Sequence, residues 1–284
     1  GLYTTNSSGT PSYASLNLTK LDGGAGTDTL SFGNMGSQGS TELTLTGGGA
    51  TNFENIDGSG GDDIIRGDTG ANVIRGDSGA DTIYGGDGDD ALGGWYFDPG
   101  TTASSFSDSS LKSNSTDSSR GGNDNLYGQA GNDLLVGTIG DNILDGGTGA
   151  DTIYTGSGSN TIVLRAGDGG STLAAADTIA DFADGTDVLG LDDGLLYSQL
   201  TIAQGTGSNS SDTIISVTSS SEYLAILTGI SASNVNYMDF ASMATGDQSF
   251  TGTTGDDVFI GAAGVDTVTT NTGTDVILTS AGDD

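Results

Sequence analysis

From residue 58 an apolar side chain returns at every ninth position, as Ile65, Ile74, Ile83 and Leu92, while the positions beside it vary. The units that carry it read GSGGDDIIR, GDTGANVIR, GDSGADTIY and GGDGDDALG, with Gly at positions one and four, Asp or Asn at six and Ile or Leu at eight. A six-residue Gly-rich stretch predicts a tight turn with inward carbonyls, because glycine accepts positive φ. The last three residues predict a short strand, and its middle side chain alone faces inward because neighbours on a strand point to opposite faces. Each unit is therefore half a rung, and two units make one turn of a coil with two facing parallel sheets whose rungs stack about 4.8 Å apart.

The same spacing divides the chain. Residues 1–57 form an N-terminal β-rich lead-in with isolated repeats, GGAGTDTLS and GATNFENID; 58–93 hold the first array. Residues 94–120 are a Ser-rich loop insertion opening with Trp95, Tyr96 and Phe97. A second array, 121–163, runs through GQAGNDLLV, GTIGDNILD, GGTGADTIY and TGSGSNTIV. From 164 to 245 the repeat lapses into alternating runs such as LTIAQ, DTIISVT and YLAILTGI, which predict a β-rich cap or spacer, with a short helix near Ser231. A third array, 246–284, breaks off within a repeat, which reads as a piece of a longer chain.

Composition sharpens the chemistry. The 284 residues include 51 Gly, 2 Pro and no Cys or His, and 38 acids against 6 bases give a formal charge of -32. Nearly all the acids are Asp, a short hard-oxygen ligand suited to turns, whereas acidity for solubility alone would use Glu equally. The charge excludes nucleic acid and anionic membranes as partners, no apolar stretch is long enough for membrane insertion, and cations are the natural counterpart. Stacking sets Asp63 above Asp81, Asn72 above Asp90, Asp133 above Asp151 and Asp257 above Asp275, with Asp124, Asn142 and Asn160 as another column. Carboxylates one rung apart repel by about 4 kcal/mol per pair at an effective dielectric near 20, so a cation is expected between them. An all-oxygen set of carboxylates, amides and turn carbonyls selects Ca²⁺ over Mg²⁺, Zn²⁺ or iron. The interior is too thin to offset the ordering of so many glycines, so metal-free repeats are expected to be largely disordered.

The nonapeptides resemble the RTX (repeats-in-toxin) signature, Gly-Gly-x-Gly-x-Asp-x-apolar-x. The resemblance implies an all-β fold of right-handed parallel β-roll segments, calcium as cofactor, and side-chain ligands at Asp63, Asp81, Asp90, Asp124, Asp133, Asp151, Asp257, Asp266 and Asp275. Asn72, Asn142 and Asn160 offer a neutral oxygen in the same place and weaker sites. The stretch DTIADFADGTDVLGL resembles a segment that closes such rolls, and its Asp177 joins the candidates. Asp28 and Glu54 have no stacked partner in obvious register, and only Asp28 is kept. Thr155 and Thr270 replace the first Gly, where irregular turns are expected.

Arg66 and Arg75, at position nine, read as outward-facing charge relief. The aromatic trio at 95–97 reads as cover for an open sheet edge, with a glycan or partner anchor as the competing use. No H-E-x-x-H, G-x-S-x-G or phosphate loop is present, so the chain reads as no enzyme. The expected function is a secreted structural or cell-surface protein, such as a surface-layer, filament or adhesin component, stiffened by extracellular calcium. Type I secretion follows from the resemblance, and self-association into a lattice or filament and a cell-surface glycan are candidate partnerships. The alternative is a non-catalytic folding module of a larger secreted protease, lipase or polysaccharide epimerase.

Overall fold

A computed structural model describes residues 4–5, 11–12, 21–32, 40–45, 50–51, 53–94 and 122–279. Two sheets face each other. One is eight-stranded and wholly parallel, running from Glu42–Thr44 through Ile64–Arg66, Thr82–Asp87, Asn125–Ala130, Ile143–Thr148, Thr161–Leu164 and Val188–Leu191 to Phe240–Ser242. The other takes the alternate strands, Thr29–Ser31, Asn55–Asp57, Val73–Arg75, Ala91–Gly93, Leu134–Val136, Thr152–Tyr154 and Asp177–Ile179. It then adds an antiparallel meander of Glu222–Leu227, Thr213–Val217 and Leu200–Gln204. The fold is the all-β parallel roll that the nonapeptide pattern predicts.

The core is the position-eight column. Ile56, Ile65, Ile74, Ile83, Leu92, Leu126, Leu135, Leu144, Ile153, Ile162, Ile179 and Leu189 are all 0% exposed. Burying each such side chain contributes about 1.5–3 kcal/mol, but with one per half-rung the interior is a single file of side chains. The same core continues into the cap, where Phe182, Leu195, Val217, Leu224, Val235 and Phe240 join it.

The two arrays separated in sequence belong to one roll. Thr82–Asp87 pairs with Asn125–Ala130 and sets Ile83 against Leu126, so the stacking runs on across the insertion. Residues 95–121, with the aromatic trio read as an edge cover, lie outside the described residues. The third array forms two further parallel pairs, Ser249–Thr251 with Thr267–Thr269 and Val258–Ile260 with Val276–Leu278. Among the described residues no helix is long and apolar enough to cross a membrane.

Two local expectations are corrected. The helix near Ser231 is a turn closed by the Asn234 amide on the Ser231 carbonyl at 2.9 Å; helical structure comes as short 3-10 turns such as Tyr237–Asp239. Arg75 is buried rather than outward, its guanidinium 2.7 Å from the Asp57 carboxylate of the neighbouring strand. Arg66 lies 4.8 Å from the centre of the Tyr84 ring, which itself stacks on Tyr127.

Glycine serves two separate needs in the turn. Left-handed backbone occurs at positions two and four, including the non-glycines Asp77, Gln129 and Thr138, and not at position one. Thr155, at position one, therefore meets no φ penalty, and its turn keeps Gly156 and Gly158 left-handed. The irregularity at Thr155 lies in its bonding and not in its φ: its amide donates to Asp181 Oδ1 at 2.6 Å, where those of Gly58, Gly67, Gly76 and Gly137 donate to a strand carbonyl. Thr138 is the strained residue: its φ is 66° and its buried hydroxyl has no hydrogen-bond partner among the described residues. Since β-branched residues resist this region, Thr138→Gly should raise stability by about 1 kcal/mol in saturating calcium. A lower urea midpoint than wild type would overturn that reading.

Candidate metal centres

Each position-six side chain is held by the rung above it. In the first column the amides of Asp63, Asp81, Asp124, Asn142 and Asn160 donate in turn to Oδ1 of Asp81 (2.9 Å), Asp124 (2.9 Å), Asn142 (2.8 Å), Asn160 (3.1 Å) and Asp187 (3.0 Å). In the second the amides of Asn72, Asp90, Asp133 and Asp151 donate to Oδ1 of Asp90 (2.7 Å), Asp133 (2.7 Å), Asp151 (2.8 Å) and Asp177 (2.9 Å). Asp124, Asn142 and Asn160 thus continue the column of Asp63 and Asp81 rather than forming another. The bonded residues are 18 apart within an array and 43 apart across the insertion, a step that counting nonapeptides does not supply.

The ladder uses one oxygen of each carboxylate and leaves the other. Oδ2 of Asp81, Asp90, Asp124, Asp133 and Asp151 is buried without a hydrogen-bond partner among the described residues. Burial is the main cause that pushes the Asp81 and Asp90 carboxyls up to about 8, aided by the neighbouring acids Asp124 and Asp63 in one case and Asp133 and Asp68 in the other. Burial likewise pushes Asp124 and Asp133 up to about 7 and Asp151 to about 6, and holds Asp177 well above its ordinary range. In each case the ladder amide opposes the rise and does not cancel it.

Each of these orphaned oxygens sits beside a position-one glycine, and those of Asp90 and Asp133 also near the carbonyl of the next rung. A Cβ at Gly128 would collide with Asp133 Oδ2 and the Gly146 carbonyl, and one at Gly85 would meet Asp90 Oδ2 and come within 2.8 Å of the Gly128 carbonyl. At these two sites a carboxylate oxygen and a carbonyl oxygen therefore converge with no donor among the described residues, and that space fits a hard cation. Among the described residues no three acidic side chains gather at one point, so backbone carbonyls must complete any such shell.

Other turns are closed by their own backbone. Where position two is not left-handed, its amide donates to the free carboxylate oxygen: Ser59 to Asp63 at 2.5 Å, Thr253 to Asp257 at 2.7 Å and Ala262 to Asp266 at 2.9 Å. In the third array Asp257 stacks on Asp275, its amide 3.1 Å from Oδ1, and Gln248 stands over Asp266. The orphaned oxygens of Asp81, Asp90, Asp133 and Asp151 go with left-handed Asp77, Gly86, Gln129 and Gly147, whose turned amides face elsewhere.

Some members and partnerships were not found from sequence. Asp28, kept as a candidate without a stacked partner, and Glu54, set aside, are stacked on each other: the Asp28 amide donates to the Glu54 carboxylate at 2.8 Å, and Thr29–Ser31 pairs with Asn55–Asp57. Asp187 ends the first column, and the signal for it is the Gly185, Asp187, Leu189 spacing that repeats positions four, six and eight. A second, exposed ladder runs along position five, where Asp62, Asp89, Asn123, Asn132 and Asp141 accept the amides of Ala80, Asn132, Asp141, Ala150 and Ser159.

The family model for the RTX calcium-binding nonapeptide repeat (4 copies) matches residues 20–34, 57–92, 119–144, 136–170 and 245–284, together half of the chain. No curated protein matches in sequence. Among solved structures, extracellular lipase LipA from Serratia marcescens is 17% identical with a TM-score of 0.31 over 75% of this chain, which spans 42% of the lipase. The AlgE6R3 subunit of the Azotobacter vinelandii mannuronan C5-epimerase is 20% identical with a TM-score of 0.25 over 64% of this chain and 78% of that one. With repeats matched along half its length and the first two arrays folded into one stacked roll, the chain belongs to the family of RTX calcium-binding nonapeptide repeat proteins.

Proposed function

We propose that this is a secreted structural or cell-surface protein, a surface-layer, filament or adhesin component, whose roll folds and stiffens on meeting extracellular calcium. The observation that carries the reading is the set of six buried position-six carboxylate oxygens without a donor among the described residues, at Asp28, Asp81, Asp90, Asp124, Asp133 and Asp151. Calcium supplies positive charge to these pockets and accepts the six to eight oxygens that carboxylate and turn carbonyls can offer. The chain's own part is to fix the ligands: the ladder amide sets each carboxylate's rotation, left-handed position two turns its amide away, and position-one glycine lets the next rung's carbonyl approach. Asp177 is the second column's closing ligand, and Asp28 pairs with Glu54 at the other end. Asp63, Asp257, Asp266 and Asp275 are weaker candidates, the first three because a backbone amide already occupies the free oxygen.

Extracellular calcium modules bind in the range of about 10⁻⁴ to 10⁻³ M, which would leave such a chain unloaded before export and loaded after it. Circular dichroism and light scattering during a calcium titration test the reading. β-structure should rise with calcium, and ordered polymers would mark a lattice or filament. Asp81→Ala and Asp151→Ala should each remove one bound calcium and cost at least about 3 kcal/mol, since each also strands the buried amide of Asp63 or Asp133. Unchanged calcium binding in both variants would overturn the site assignment.

A further inference from the structure

We infer that Asn142 and Asn160 close their turns with their own side-chain amides in place of a cation, so that this stretch of the first column carries no metal. The inference deepens the calcium reading and rests on it. It begins with the ladder, which fixes the orientation of each amide. Asn142 Oδ1 accepts the Asp124 amide at 2.8 Å and Asn160 Oδ1 accepts the Asn142 amide at 3.1 Å, so the remaining arm of each side chain is the NH₂ group.

That NH₂ stands where the aspartates place their orphaned oxygen. A Cβ at Gly137 would lie 2.9 Å from Asn142 Nδ2 and against the Thr155 carbonyl, just as one at Gly128 would meet Asp133 Oδ2 and the Gly146 carbonyl. From there Asn142 Nδ2 donates to the carbonyls of Gly137 at 3.0 Å and Gly140 at 3.1 Å, and approaches Asn160 Oδ1 at 3.0 Å. Asn160 Nδ2 reaches the Gly158 carbonyl at 3.5 Å and Asp187 Oδ1 at 3.0 Å. The turn carbonyls that face an anion in the aspartate units face donors here, and both amides are absent from the set of buried groups without partners.

Both turns are left-handed at position two, Thr138 and Gly156, so they share the backbone of the cation-ready turns and differ in the side chain. A cation in this space would face the amide hydrogens. Rotating the amide to present oxygen would aim its NH₂ at the buried ladder amide above, donor against donor, with a penalty comparable to a lost buried hydrogen bond. Metal binding and the ladder are therefore exclusive at these two positions. Asn72 is the contrast: its Oδ1 faces the turn and accepts the Asp68 amide at 3.0 Å, while Nδ2 donates to the Phe53 carbonyl at 3.3 Å, so its turn is closed by the backbone and not by its own NH₂, and it is not included.

The test is a count of bound calcium at saturation, by equilibrium dialysis of the full chain. Asn142→Asp should bind one calcium more than wild type. An unchanged count with tighter affinity would mean that Asn142 already ligates calcium and would overturn the inference. A wild type that binds no calcium would instead sink the calcium reading itself, so the two failures are distinguishable. A second measurement needs no variant. In the calcium-loaded protein, the side-chain NH₂ protons of Asn142 and Asn160 should exchange with solvent at least about tenfold more slowly than those of exposed Asn132. Equal rates would overturn the inference whatever the variant does.

Discussion

Calcium-stripped protein should keep its β-structure best near pH 4 and lose it as the pH rises to 8, while the calcium-loaded protein should show no such loss. Five of the orphaned carboxyls drive this. Asp81 and Asp90 titrate at about 8 in the fold, Asp124 and Asp133 at about 7, and Asp151 at about 6. In an unfolded chain each titrates at about 3.9. Between those values the folded state holds protons that the unfolded state has released, so stability falls with rising pH by up to about 1.4 kcal/mol per unit for each such group. Below pH 4 both states are protonated and the penalty is absent; above pH 8 it is complete. Several such groups acting together weigh heavily against the roughly 5–15 kcal/mol by which a typical domain is stable, so the stripped roll should be far less stable at pH 8 than at pH 4. Calcium takes the place of the protons, and its affinity should therefore rise with pH. Thermal melts by circular dichroism at pH 4, 6 and 8, with and without calcium, decide the matter. A stripped protein as stable at pH 8 as at pH 4 would show that the carboxylates are not stranded.

The cation is needed for a narrower reason than column repulsion alone. Sequence reasoning places bare carboxylates above one another, yet each Oδ1 accepts an amide from the preceding rung, and that bond offsets part of the repulsion. The unmet demand is at Oδ2, where carboxylate and carbonyl meet without a donor. The Asp63 unit shows how small the difference is, since there the Ser59 amide turns inward and supplies that donor. Whether a turn of this family is open or self-closed thus depends on one backbone dihedral at position two. A position that tolerates Asp, Gly, Gln, Thr and Ser alike carries no residue signal for it.

What a nonapeptide count can reveal is whatever depends only on spacing within an array. The inward Ile and Leu column, the parallel sheets and the identity of the position-six ligands are of that kind, because period two along a short strand and period nine along the chain fix them. Pairing across unrelated stretches is not. Asp81 finds Asp124, and Asp28 finds Glu54, because strands bond through space and an insertion leaves the register of its flanks intact. Burial imposed by packing on the outer sheet face is also silent in the sequence, as Arg75 with Asp57 shows. The orientation of an Asn amide is the finest case: Asn72 and Asn142 are the same residue at the same repeat position, and neighbouring rungs decide which atom each turns inward.

Gly128→Ala should be among the most damaging single-methyl changes in the molecule, costing at least about 3 kcal/mol and the calcium held at Asp133. The reason is crowding and not backbone freedom. Gly128 lies within the strand Asn125–Ala130 and is not left-handed, so alanine meets no φ penalty there. Its methyl group would occupy the gap where Asp133 Oδ2 and the Gly146 carbonyl approach, both held by ladder and sheet bonds and neither at the end of a flexible side chain. To fit it, the rungs must separate or the carboxylate must rotate off the Asp90 amide, and either change dismantles the site. Gly246→Ala is the matched control, because a Cβ there meets nothing within 4 Å and the residue is likewise not left-handed; it should be neutral within about 0.5 kcal/mol. Urea unfolding of both variants in saturating calcium, with bound calcium counted in parallel, separates the two. A Gly128→Ala protein that loses under 1 kcal/mol and keeps its full calcium complement would mean that position one has room to spare. In that case the pocket floor would have to be built from other atoms than the next rung's carbonyl.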